Sequence, residues 1–108
     1  MHYRVPKNTE MLTWTKHAVE KMRLYGLSEA KVKRVMENPE RREEGIAEDT
    51  IACMQTTGGK RKTEIWVMYT EKKSKRRVVS AWRYPGQTKP RDPVPIPEDF
   101  LTEVNALS

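Results

Sequence analysis

Pro39 divides the chain into two parts with different hydrophobic periods. Before it, apolar residues recur every three or four positions. After it, they tend to alternate with polar ones. A helical period cannot be laid onto a strand, so this boundary predicts helices first and a sheet second, rather than repeating strand-helix-strand units.

Trp14, Ala18, Met22 and Tyr25 follow spacings of four, four and three, which places them on one apolar stripe. Thr15 suits the N-cap of that helix and Gly26 its stop. A second helix opens at Ser28 and runs to about Asn38, where Pro39 ends it. Its apolar positions are Val32, Val35 and Met36, whereas Lys31, Lys33, Arg34 and Glu37 are polar. That one-sided pattern predicts a helix lying on a sheet.

Extended segments are expected near 42–47, 50–57, 63–70 and 76–84. Thr57-Gly58-Gly59-Lys60 reads as a tight turn and Glu71-Lys72-Lys73-Ser74-Lys75 as a longer polar loop. Ile65, Val67 and Tyr69 alternate with Glu64, Trp66 and Met68, predicting one apolar and one mixed face. In the last strand, alternation puts Arg77, Val79, Ala81 and Arg83 on one side and Val78, Ser80, Trp82 and Tyr84 on the other. The expected fold is α+β, with two N-terminal helices packed on a 3–4-stranded antiparallel sheet. Residues 1–11 form an arm, with a short edge strand as an alternative for the stretch up to residue 13, and 12–84 form the domain. Residues 85–108 form a proline-rich strap, expected to be extended and outside the core, and a short acidic C-terminal helix carrying Phe100, Leu101, Val104 and Leu107.

A chain of 108 residues with 36% hydrophobic and 33% charged residues suits one domain with a thin core. No apolar run approaches the ~20 residues that cross a bilayer, and no secretory h-region opens the chain, so a cytoplasmic protein without a membrane is expected. Cys53 is the single cysteine and has no Cys or His at zinc-ligand spacing. Neither a metal nor a cofactor motif is present: there is no Walker loop, dinucleotide fingerprint or nucleophile elbow.

The net charge of +6 is unevenly placed. Residues 60–91 carry 11 Lys/Arg against 2 Asp/Glu, whereas 92–108 carry none against 4. A block of that sign attracts phosphate backbones, and RNA is the expected partner. A solvated basic face is the competing reading.

His17 borders the apolar stripe of the first helix and has Lys21 one turn on. An imidazole with an ammonium at that spacing resembles the acid/base and cation parts of a phosphodiester-cleaving centre. A half-buried histidine capping the core is the alternative. Arg83 and Tyr84 end the last strand and complete the candidate catalytic set. Lys16, Lys60, Arg61, Lys62, Arg76 and Arg77 are candidate RNA contacts, because cationic side chains match phosphate and a neighbouring aromatic ring can stack on an unpaired base. Trp66 and Trp82 are read as core.

The run Thr15-Lys16-His17-Ala18-Val19-Glu20-Lys21-Met22, followed by Tyr25-Gly26-Leu27-Ser28 and by Asn38-Pro39, resembles a family of small bacterial and archaeal domains of unknown function. That family opens on a Thr-x-His-Ala-x-x-Arg-Met helix. Ile65-Trp66-Val67-Met68-Tyr69-Thr70 and Arg77-Val78-Val79-Ser80-Ala81-Trp82 resemble its closing strands. The resemblance covers about residues 12–84, and the family looks like the RelE and BrnT toxin group. It implies a metal-independent endoribonuclease of a toxin-antitoxin system, an antitoxin protein as partner, and His17 as a functional residue. Lys21 stands where the family has Arg, which keeps the charge and loses the bidentate fork. A non-catalytic nucleic-acid-binding module and a protein-interaction domain are the other readings of the same surface.

Overall fold

The computed structural model describes residues 3–97, and the expected C-terminal helix lies outside that range. Chain order is β1 (Leu12–Trp14), α1 (Lys16–Tyr25), α2 (Glu29–Glu37), β2 (Arg41–Glu44), β3 (Thr50–Thr57), β4 (Thr63–Lys72) and β5 (Lys75–Tyr84). The α+β class is as expected, but the sheet has five strands in the order β1-β5-β4-β3-β2 and is mixed, because β1 pairs parallel to β5. The short segment before the first helix is thus an edge strand, and the whole of the chain from α1 to β4 separates it from its partner β5.

Both helices start and stop where their caps dictate. Thr15 accepts from the Ala18 amide and Ser28 from the Lys31 amide, each satisfying a donor with no partner inside its helix. Gly26 ends α1 at φ 67°, a left-handed conformation that costs a glycine little. Ala18, Met22, Val32, Val35 and Met36 pack with Cys53, Ile65, Val67, Tyr69, Val78 and Ala81 into the main core between helices and sheet.

Three local expectations change. The stretch 71–75 is a two-residue turn, not a long loop: β4 runs to Lys72, β5 begins at Lys75, and Lys73 and Ser74 both take positive φ, 51° and 67°. Positive φ at both central positions is the geometry of a type I′ hairpin, whose twist matches that of the strands. β5 carries a bulge: Met68 faces Ser80 and Tyr69 faces Val78, leaving Val79 as the extra residue. Strict alternation therefore fails across Val79. Val78 joins Ala81 in the helix-side core, while Trp82 faces the other way, and Arg77 and Arg83 no longer share a side.

The strap is also more than a surface segment. Trp66, Met68, Trp82, Ala52 and Met54 form a second core on the face away from the main cluster, and Val94 and Ile96 of the strap pack against it. The paired Trp66 and Trp82 stack at 6.2 Å with their planes 8° apart. The Arg41 guanidinium lies 5.1 Å from the Trp66 ring centre. Arg41 also donates to Thr88 Oγ1 and, at 2.6 Å, to the Asp92 carbonyl. The carboxylate of Glu64, only 1% exposed, accepts from Trp66 Nε1 at 3.0 Å and from the Thr88 amide at 2.8 Å. A buried carboxylate is tolerated because it is fully bonded. Both faces of the sheet are thus covered, one by helices and one by a strap.

The arm is held in a similar way. Tyr3 donates its hydroxyl to the Leu27 carbonyl at 3.0 Å, and the Lys7 amide donates to Glu29 at 2.6 Å. That amide, together with Lys33, holds the Glu29 carboxyl below the usual carboxylate range.

Candidate functional site

His17, Lys21 and Tyr25 are spaced i, i+4 and i+8, so α1 presents them in one row. Their counterpart is the far half of β5, beyond the short β1. His17 Nε2 lies 3.2 Å from Ser80 Oγ, and Tyr25 shares a cleft with Trp82, Arg83 and Tyr84. Lys21 stands between the two. The α1 N-terminus is anchored on the same strand, through Thr15, whose amide donates to the Val78 carbonyl and whose hydroxyl donates to the Val79 carbonyl. The bulge at Val79 therefore sits directly beside the point where helix and strand meet.

Burial separates the roles these residues can take. Ser80 is fully buried and His17 half-buried, so the contact holds the imidazole against the strand while the side chain keeps part of its surface in solvent. Lys21 is 7% exposed. At that depth it is not a solvent-facing contact. Arg83 and Tyr84 are half-buried at the end of β5. Arg83 lies three residues beyond Ser80, about 10 Å at ~3.3 Å per residue.

The basic block divides into two poles. Lys60, Arg61 and Lys62 are exposed on the β3–β4 loop, at the same end of the sheet as Tyr84, which pairs with Glu64. Arg76 and Arg77 lie at the opposite end of β5, against β1, where they pair with Leu12 and Thr13. Arg76 is half-buried on the helix side, near Cys53 and Tyr69, and Arg77 is exposed. Lys16 is exposed next to His17. The structure thus places Arg83, Tyr84 and the 60–62 triad toward one end of β5 and Arg76 and Arg77 toward the other, with His17 between them at Ser80, which is three residues from both Arg77 and Arg83.

Cys53 has no part in this centre. Its thiol is buried, and burial pushes it up to about 12, against the opposing pull of Arg42 and Arg76. A buried thiol at that value stays protonated at neutral pH and is a poor nucleophile. Among the described residues no group of three or more His, Cys, Asp and Glu side chains is placed to hold a metal, and no helix is long and apolar enough to cross a membrane. Trp66 and Trp82 are core, at 0% and 1% exposure.

Sequence reading missed Ser80 and Tyr25 as members of the site. Tyr25 was legible as the third member of the i, i+4, i+8 row. Ser80 was not, because nothing local marks which strand residue a helix 63 positions away will meet. No family model matches the chain, nor does any curated protein or solved structure.

Proposed function

We propose that this protein binds RNA in the cytoplasm and cleaves it without a metal, as an endoribonuclease of the RelE/BrnT-like toxin type, with an antitoxin protein as its partner. The observation that carries the reading is the contact of His17 Nε2 with Ser80 Oγ at 3.2 Å. It sets an imidazole on β5 with one ammonium a helical turn away and an arginine about 10 Å along the strand in each direction, Arg83 and Arg77.

The chemistry follows from those groups. His17 accepts the proton of a ribose 2′-hydroxyl, and the resulting oxygen forms a bond to the adjacent phosphorus. The bond from phosphorus to the 5′-oxygen breaks, leaving a 2′,3′-cyclic phosphate and a 5′-oxygen that takes a proton from water to become a hydroxyl, while the imidazolium returns its proton to solvent. Lys21 and Arg83 stabilise the charge gathered on the phosphate in the transition state. Arg77, three residues from Ser80 in the other direction, is the alternative guanidinium for that role. The polar row of α1, the basic loop and the end of β5 support this reading together, and the resemblance in residues 12–84 supplies the reaction class.

A second reading has its own support. Ser80 is fully buried, so its bond to His17 also serves as a tie between α1 and the sheet, as expected of a non-catalytic binding module. Incubating single-stranded RNA with the protein in EDTA separates the two. Catalysis predicts cyclic-phosphate ends and a loss of ~10² to 10⁴-fold in His17→Ala. RNA that is bound and never cut, with or without ribosomes, supports the module instead.

A further inference from the structure

At the end of β5 the fold leaves a cleft of about 550 Å³ between the strand, the last turn of α1 and the strap. That size falls in the range of small-ligand sites, ~300–1,000 Å³. Three aromatic side chains line it, Tyr25, Trp82 and Tyr84, together with the strap residues Pro95 to Pro97. Arg83 and Thr63 are the polar members of the lining, and Thr63 directly follows the Lys60-Arg61-Lys62 triad.

The cleft is held in shape by the fold. Trp82 Nε1 donates to the Pro95 carbonyl at 2.7 Å, which fixes the strap at one wall. Thr88, bonded to the buried Glu64, anchors the strap further back. The backbone of Gly86 lies against the Tyr84 ring, close enough that a Cβ there would stand 3.3 Å from Cε2. Tyr84 is therefore set by backbone packing rather than left to rotate freely.

Two requirements fall on any occupant. Aromatic and proline walls favour a flat, uncharged ring, whereas Arg83 and the adjoining basic triad favour an anion attached to it. A nucleotide combines the two. We propose that this cleft takes an unpaired nucleobase of single-stranded RNA, stacked on Tyr84 and Tyr25, with a neighbouring phosphate on Arg83 and the 60–62 loop. Paired bases are closed within their own stack and cannot enter, so a duplex is excluded. Tyr84 lies four residues past Ser80, about 13 Å along the strand. The base held here thus belongs to a nucleotide flanking a phosphate at His17, which makes the cleft a specificity site. The inference rests on the RNA-binding reading and deepens it. It depends on the strap, which lies outside the 12–84 resemblance.

Fluorescence anisotropy on the full chain tests it with two labelled RNAs of equal length, one carrying bases and one abasic throughout. Wild type binds the abasic strand more weakly, by roughly 5- to 150-fold per base held. Tyr84→Leu lowers binding of the normal RNA by a similar factor without changing its salt dependence, since no phosphate contact is lost. Tyr84→Phe, which keeps the ring, binds as wild type. Equal binding of the two RNAs by wild type overturns the cleft and leaves the RNA reading standing. That comparison decides the question even if Tyr84→Leu fails to fold. Absence of binding to either RNA at low salt removes both.

Discussion

His17 and Ser80 are 63 positions apart in sequence, and their Nε2 and Oγ atoms lie 3.2 Å apart across the contact between α1 and β5. With Ser80 fully buried, this contact fixes the orientation of the imidazole, so Ser80 is a positioning residue in the proposed centre. Ser80→Ala is expected to leave RNA affinity unchanged and to lower cleavage about tenfold or more, because a loosened general base loses alignment. Stability falls by about 1 kcal/mol, the net value of one hydrogen bond. Single-turnover cleavage measured beside urea unfolding checks this. Cleavage at the wild-type rate in a folded Ser80→Ala protein means that the contact does not orient the base.

Much of this architecture was legible before the fold was known, and the gaps have physical causes. Thr15, Gly26, Ser28 and Pro39 marked both helices because caps are local chemistry, written within four residues of the ends they control. Val79 left no such mark. A bulge arises from how two strands register, and β-branched Val fits a regular strand as well as a bulged one. The assignment of Arg77 and Arg83 to one side failed for that reason alone. The strap failed differently: five prolines signal an extended chain, but not that Val94 and Ile96 will close over two tryptophans. The contact between His17 and Ser80 is long-range and was legible only on the helical side.

The 73–74 turn is a second feature the residues concealed, since neither Lys73 nor Ser74 signals positive φ, yet both adopt it. Left-handed backbone costs an ordinary residue roughly 1–2 kcal/mol. Replacing the pair by Asn-Gly, the preferred I′ dipeptide, is therefore expected to stabilise the protein by about 1 kcal/mol or more with the fold unchanged. A higher urea midpoint at constant m-value is the expected result. No gain would mean that the turn is not strained in solution.

Thr88 joins two charged residues, accepting from Arg41 and donating to Glu64 beneath the strap. Thr88→Val preserves the shape and removes the hydroxyl, leaving the buried Glu64 and the half-buried Arg41 each with one bond fewer. The expected loss is about 1–3 kcal/mol, with the strap released before the helices. Tryptophan fluorescence should then shift at lower urea than helical circular dichroism, because Trp82 is bonded to Pro95 and stacked on Trp66. Coincident transitions in the variant would show that strap and domain unfold as one unit.

The two basic poles make unequal contributions if RNA runs along α1 and the end of β5. Lys60, Arg61 and Lys62 are exposed beside the Tyr84 end of the sheet, whereas Arg76 and Arg77 lie at the far end, and the bulge turns Arg76 toward the half-buried side near Cys53. Reversing Lys60 and Lys62 to Glu should weaken single-stranded RNA binding more than reversing Arg76 and Arg77. Each lost phosphate contact should also lower the slope of log affinity against log salt by about 0.7. Anisotropy titrations from low to physiological salt measure both quantities. An equal loss from the two double variants would mean that the strand crosses the whole basic face. A greater loss from Arg76 and Arg77 would place the RNA path along the β1 edge and away from the Tyr84 end of the sheet.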